Sequence, residues 1–289
     1  AKQRAGGMSE GRIYAKIVRR GLTLVVLGMV YNGLFKLDFE NLRIASVLGR
    51  IGLAWSIAAV LYLNFGVKTR AAIAVAVLAG YGALSALVAA PDAAGAGPLT
   101  FEGNLAGYID RQFLPGKLIY GSFDPEGLLS TVPAVVTAML GMFTGEFVRR
   151  GDIRGGRKTL WMAAAAAALL AAGLAFSGVL PVNKKLWSST FVCVVGAYSL
   201  GMFALFYYLI DVRGWRRWTL FFRVVGLNSI TIYLAQRIVG FGRISDFFLG
   251  GIASKCPEAV AAVISSAGYV AVCWLFLYFL YRKNVFLKV

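Results

Sequence analysis

Eight stretches of about twenty predominantly apolar residues recur along this chain, at 17–35, 44–65, 71–90, 128–148, 160–180, 188–210, 220–239 and 259–281. Each has the length an α-helix needs to cross the hydrocarbon of a bilayer. The runs are continuous rather than alternating apolar and polar, which favours helices over a transmembrane barrel. Hydrophobic residues make up 59% of the 289, with 34 glycines on top, and only 15% are charged. A soluble fold of this size has no interior large enough for that excess. A soluble enzyme, a disordered chain and a disulfide-stapled secreted domain are excluded. The expected fold class is all-α: a polytopic membrane helix bundle of about eight transmembrane helices, forming one domain over 1–289.

Charge then orients the spans. There are 30 Lys and Arg against 13 Asp and Glu, a net charge of +17. With a cytoplasmic N-terminus, about two thirds of these cations fall on cytoplasmic segments: before the first span, at Lys68 and Arg70, over 149–158, over 213–217, at Arg223 and in the tail. This bias places both ends in the cytoplasm of an inner-membrane, multi-pass protein. The basic surplus is then a matter of loops and anionic lipid headgroups, not of nucleic acid. The longest loop, 91–126, falls outside. In it Leu105, Ile109 and Phe113 recur at helical spacing with Asp110 and Arg111 on another face, the pattern of a short helix lying on the outer surface.

Several patterns carry no chemistry. Three cysteines without CxxC spacing signal neither a disulfide framework nor a metal site, and there is no histidine. Gly151 to Thr159 nearly spells a phosphate-binding loop, but one residue intervenes before Lys158 and no strand precedes it. Gly141 and Gly145 read as a helix-packing pair. More informative are polar groups a bilayer should reject. Arg50 stands about two turns into the second span, and Asn228, Ser229 and Thr231 stand within the seventh; Glu146, Arg223 and Arg237 lie near span ends. Charges at membrane depth face protein or a water-filled cavity and are candidates for function. Arg50 offers a planar fork for a carboxylate or phosphate. Asp124 and Glu126, just before the fourth span, suit either a helix cap or an external pocket for an amine or hydroxyl. Lys184, Lys185 and Trp187 form a second external knot, suited to anion binding or headgroup contact.

Four of these stretches resemble a known family. Asn41-Leu-Arg43-Ile-Ala-Ser-Val-Leu-Gly-Arg50-Ile is similar to the NLRIPGVLQRI segment of the heparan-α-glucosaminide N-acetyltransferase family and its bacterial homologues. Gly121-Ser-Phe-Asp-Pro-Glu-Gly-Leu-Leu-Ser-Thr-Val-Pro133 resembles its FDPEGLLSTxPA signature. Pro181 to Ser189 and Arg223 to Tyr233 resemble its PxNKxLWTSS and FxxxGxNSIxxY stretches. Ala45 and Gly49 stand where the family usually has Pro and Gln.

The resemblance implies a transmembrane acyltransferase that moves acetyl from cytoplasmic acetyl-CoA to an amino sugar or related glycan on the external side, without a metal. It implies that Arg149, Arg150, Arg216, Arg217 and Arg223 meet the CoA phosphates. It further implies that Arg50 and Asn228 hold polar groups in the acyl path, that Asn228 or Ser229 faces the oxyanion, and that Asp124 and Glu126 adjoin the acceptor amine. The family's catalytic histidine lies in an external loop upstream of all four motifs. The chain therefore reads as lacking a hairpin of two helices and as inactive by itself. Two other classes fit the polar spans: a secondary transporter of a small polar or anionic solute, and a non-catalytic membrane partner. Whether the protein forms a homo-oligomer is left open.

Overall fold

A computed structural model describes residues 6–287; Lys2, Arg4 and Lys288, three of the cations used for orientation, lie outside the described residues. The described residues form eleven α-helices: α1 (Glu10–Tyr31), α2 (Val47–Asn64), α3 (Val67–Leu87), α4 (Leu105–Phe113), α5 (Leu128–Val148), α6 (Gly155–Ala175), α7 (Ser189–Tyr207), α8 (Leu220–Leu227), α9 (Ser229–Ile238), α10 (Phe241–Ala253) and α11 (Glu258–Arg282). Among these residues there is no strand, only two isolated bridges, Arg43 with Gly116 and Ala89 with Asn104. The all-α membrane bundle expected from the apolar runs is the fold found. Six helices are long and apolar enough to cross a membrane: α2, α3, α5, α6, α7 with its π-helical extension Tyr208–Val212, and α11.

Two expected spans differ. The first helix begins at Glu10 rather than 17, so Arg12, Lys16, Arg19 and Arg20 ride on it, and it is not among the six. The seventh expected span is two short helices, α8 and α9, that meet at Asn228. This residue ends one helix and precedes the other with φ −126° and ψ 24°. Average hydropathy spans that break because its apolar flanks conceal it. A further helix, α10, occupies what was expected to be an external loop.

The chain divides into two compact units, Ala1–Gly214 and Trp215–Val289. In the first, the core lies among α2, α3, α5 and α7, where Ala54, Ala58, Ala74, Val136, Met139 and Val192 are buried together. Small residues let α1 and α2 cross closely: a Cβ on Gly52 would meet the Gly21 carbonyl oxygen at 2.7 Å. The long helices of this unit, α1, α2, α3, α5, α6 and α7, run alternately up and down. At one end Tyr14 donates to Asn64 (3.0 Å), and Lys158 donates to the Val148 carbonyl (2.7 Å). At the other end the segments around 43, 116 and 186 gather. In the second unit, Trp274 of α11 stacks on Phe221 of α8 with centroids 5.8 Å apart, and its indole N–H donates to the Phe221 carbonyl (3.3 Å).

Candidate functional site

The site grows from two loops that are joined backbone to backbone. Asn32, just past α1, donates to the carbonyls of Arg43 (2.8 Å) and Ala45 (2.9 Å). On its other side the same segment bridges to Gly116, and Lys117 N–H donates to the Leu42 carbonyl (3.1 Å). Gly116 has φ +79°, and a Cβ there would run into the Leu42 carbonyl, so only glycine closes this seam without strain. The seam aims Arg43 at the Asp-Pro-Glu segment before α5. Its Nε and Nη2 donate to the two oxygens of Asp124, each at 2.6 Å, and Nη2 also donates to Glu126. This fork-on-carboxylate geometry fixes orientation as well as charge. Burial pulls the Arg43 guanidinium down, but the hydrogen bond and charge of Asp124, with Glu126 behind it, outweigh that, and its pKa stands above the ordinary value.

Asp124 is fully buried. Its remaining acceptor capacity takes the amides of Glu126 (2.9 Å) and Ile119 (3.2 Å). The capping of α5 is done by Asp110, whose carboxylate accepts from Leu128 N–H (2.9 Å) and Asp124 N–H (3.2 Å). Asp110 is also fully buried, so it faces inward rather than sharing an outer face with Arg111, which forks onto Asp92 instead (2.9 and 2.6 Å). The reason is room: the inner face of α4 is Ala106, Gly107 and Asp110, small enough to sit on the α5 N-terminus. Burial pushes the Asp110 carboxyl up to about 6, against the pull of the two amides.

Arg50 lies in the first turn of α2, not two turns deep. Ser46 starts the helix by accepting from Gly49 N–H (3.0 Å), and residues 41–46 are spent on the seam. It is nonetheless 5% exposed. One Nη donates to Ser130 of α5 (2.9 Å), the guanidinium lies over the Trp187 ring at 4.5 Å, and its Nε has no partner. Trp187 is held at φ +52°, with its indole N–H donating to Thr137 (3.2 Å) and its ring edge-on to Phe191. A tryptophan in the left-handed region is a sparsely populated conformation that its surroundings must enforce. Lys185 lies over the Tyr120 ring at 4.4 Å, and Lys184 is exposed beside it.

Two cavities use the two halves of α2 and α5, which run parallel. One, of about 470 Å³, is lined by the N-terminal halves, with Arg50 and Glu126 near the start of the two helices and Leu53, Ile57, Val132 and Val135 farther along. The other, of about 610 Å³, is lined by the C-terminal halves and by α1, with Lys16, Arg20, Trp55, Tyr62, Glu146 and Arg149 around it. Arg20 lies over the Trp55 ring at 4.4 Å. Gly141 and Gly145 face this cleft. A Cβ on either would meet nothing within 4 Å, so the pair opens space and does not pack a helix. Glu146 pairs with Arg70, which is 4% exposed, stands over Tyr62 and Phe143, and donates at 3.0 Å.

The structure therefore brings Arg50, Asp124, Glu126, Lys185 and Trp187 to one end of the first unit, and Arg149 to the opposite cleft. Arg150 is on the surface, paired with Asp152 at 2.6 Å. Arg216, Arg217, Arg223, Asn228 and Ser229 belong to the second unit. There Arg223 lies over Tyr281 at 5.7 Å. Asn228, 1% exposed, accepts from Thr231 (3.4 Å) while its amide nitrogen has no partner. Sequence reasoning quoted Arg43 within a motif without a role, and gave no functional role to Asp110, Ser130, Lys16 or Arg20 either. Only partners distant in sequence reveal them. Among the described residues no cluster of His, Cys, Asp and Glu could hold a metal ion.

No protein-family model matches the chain. Over 98% of its length, in an alignment of 340 positions, it is 27% identical to heparan-alpha-glucosaminide N-acetyltransferase of Homo sapiens, covering 50% of that protein. The protein of the same name from Mus musculus is 27% identical over 205 positions, which cover 65% of this chain and 30% of the relative. The chain thus spans about half the length of the human relative. The resemblance read from four short motifs extends across nearly all of it.

Proposed function

Taking the chain as a relative of the heparan-alpha-glucosaminide N-acetyltransferases, we propose that it forms part of a transmembrane acyltransferase. Acetyl-CoA reaches the cationic cleft from the cytoplasm, and the acetyl group passes to the amine of an amino sugar or related glycan at the opposite, external end. The observation that carries this reading is the division of α2 and α5: one half of the pair lines a cleft with Lys16, Arg20 and Arg149, the other a cavity lined by Arg50 and Glu126. Phosphates favour the first environment electrostatically. The second offers a donor and an acceptor side by side. Arg50 donates to the carbonyl oxygen as it gains negative charge, the function such fixed donors serve in acyl transfer. Glu126 accepts from the acceptor's ammonium, while Arg43 and Asp124 hold Glu126 in place. Trp187, Lys184 and Lys185 flank the glycan or lipid headgroups on this side. Arg150 adds positive charge at the cytoplasmic end of the first unit; Arg216, Arg217, Arg223, Asn228 and Ser229, in the second unit, are given no part in either cavity.

The sequence holds no histidine. The base that the resemblance implies is therefore not among these residues, and this polypeptide by itself is expected to bind acetyl-CoA without turning it over. Equilibrium binding of radiolabelled acetyl-CoA to the protein in lipid nanodiscs tests the reading. Saturable binding that weakens with salt, and weakens at least tenfold in the double variant Arg20→Glu/Arg149→Glu, supports it. A protein that melts normally and binds no acetyl-CoA, or that carries a polar solute across proteoliposomes, overturns it in favour of transport.

A further inference from the structure

The cavity behind Arg50 is far larger than an acetyl group needs, and its chemistry is uneven. Its polar side chains, Arg50, Glu126, Ser46 and Thr131, are confined to one end, where α2 and α5 begin. The rest of the wall is hydrocarbon from Leu53, Ile57, Leu61, Val77 and Val135. Arg50 is 5% exposed, and its Nε is a buried donor without a hydrogen-bond partner. A pantetheine arm, with two amides and a hydroxyl, would find no partners along that wall. An alkyl chain would. About 470 Å³, set against the roughly 30 Å³ share of a water molecule, accommodates on the order of ten carbons.

We propose that this cavity is an acyl-chain site: it binds a medium-chain acyl group with the carbonyl oxygen on Arg50 and the hydrocarbon along α2, α3 and α5. The inference rests on the acyl-transfer reading and widens it, since the acyl group handled is then not restricted to acetyl. Glu126 lines the same end and offsets the charge of Arg50, so the head is the neutral carbonyl of an ester or thioester rather than a free carboxylate. Leu53, Ile57, Leu128 and Val132 are partly exposed along the same cavity, which gives a chain a route in from the bilayer.

The test uses the protein in nanodiscs and a diazirine-tagged decanoyl methyl ester, photolysed and mapped by peptide mass spectrometry. Labelling is expected on 44–61 and 127–139, competed by untagged decanoyl ester and at least fivefold less by decanoate. Arg50→Lys should lower it about tenfold. Ile57→Trp, a change at a half-exposed side chain, should abolish it while melting and acetyl-CoA binding persist. Uniform labelling of all lipid-facing helices, no effect of either variant, or a crosslink from a photoreactive residue at 57 to another protein segment would overturn the proposal, the last by showing that a helix fills the cavity. If acetyl-CoA binds and the label does not map to the cavity, only this inference fails. If the label maps there and acetyl-CoA does not bind, the acyl site stands and the acetyl-CoA reading fails.

Discussion

Removing Arg43 should damage this protein more than removing any exposed cation. Asp124 is fully buried and receives two guanidinium hydrogen bonds at 2.6 Å; without Arg43 it keeps only the two amides of Glu126 and Ile119. Stranding one partner of a buried pair costs about 3–5 kcal/mol. At about 2–4 °C per kcal/mol for a unit of this size, Arg43→Met should lower the melting temperature by on the order of 10 °C. Asp124→Asn should cost less, about 1.5–3 kcal/mol, because the shape is kept and Arg43 retains Glu126. The double variant should cost clearly less than the sum, with a coupling of about 0.5–3 kcal/mol. Tryptophan-fluorescence melting of the four proteins in one detergent measures all of this. If Arg43→Met melts within about a degree of the parent, or the two changes simply add, the seam does not depend on this pair and the account of the site is wrong.

Asp110 gives a pH dependence. Its carboxyl stands at about 6 when folded, above the ordinary value near 4, so its contribution to stability is complete below about pH 4 and is lost as pH rises through about 6. Melting measured from pH 4 to 7 should show that decline in the parent and not in Asp110→Asn. Gly116→Ala places a Cβ against the Leu42 carbonyl at φ +79° and should destabilise by more than about 1 kcal/mol, whereas Gly141→Ala, open to the cleft, should melt like the parent. In a cysteine-free background, an impermeant thiol reagent on intact cells should label a cysteine at 102 and not one at 152; the reverse would invert the orientation taken from the Lys and Arg bias.

The helices were legible because a bilayer demands long apolar runs, and six of the eight expected spans coincide with single helices to within five residues at each end. The break at Asn228 was not, because one buried asparagine barely changes an average over twenty residues. Arg50 was recognisable as a polar residue out of place. Its depth was misjudged because the apolar residues around 44 read as helix when they belong to the seam. Asp124 and Glu126 were left between cap and ligand by the sequence. Which carboxylate caps α5 depends on Asp110, in a separate short helix 14 residues before Asp124, and no periodicity connects the two. The cationic cleft escaped notice because its members come from three helices and share no motif.

The joining of residue 43 to residue 116 also constrains how the protein is made. Arg43 leaves the ribosome some eighty residues before Asp124 does. Two hydrophobic helices must be threaded into the membrane in between. Closing so long a loop costs little more than closing a shorter one, because the entropy grows only logarithmically with length. The delay is the larger consequence: contacts of high sequence separation form late. Until Asp124 emerges, the cation waits at the membrane surface, and until the seam closes, the carboxylate does too. The seam end of the first unit is thus the natural place for a stalled folding intermediate, and for a membrane quality-control protease to find one.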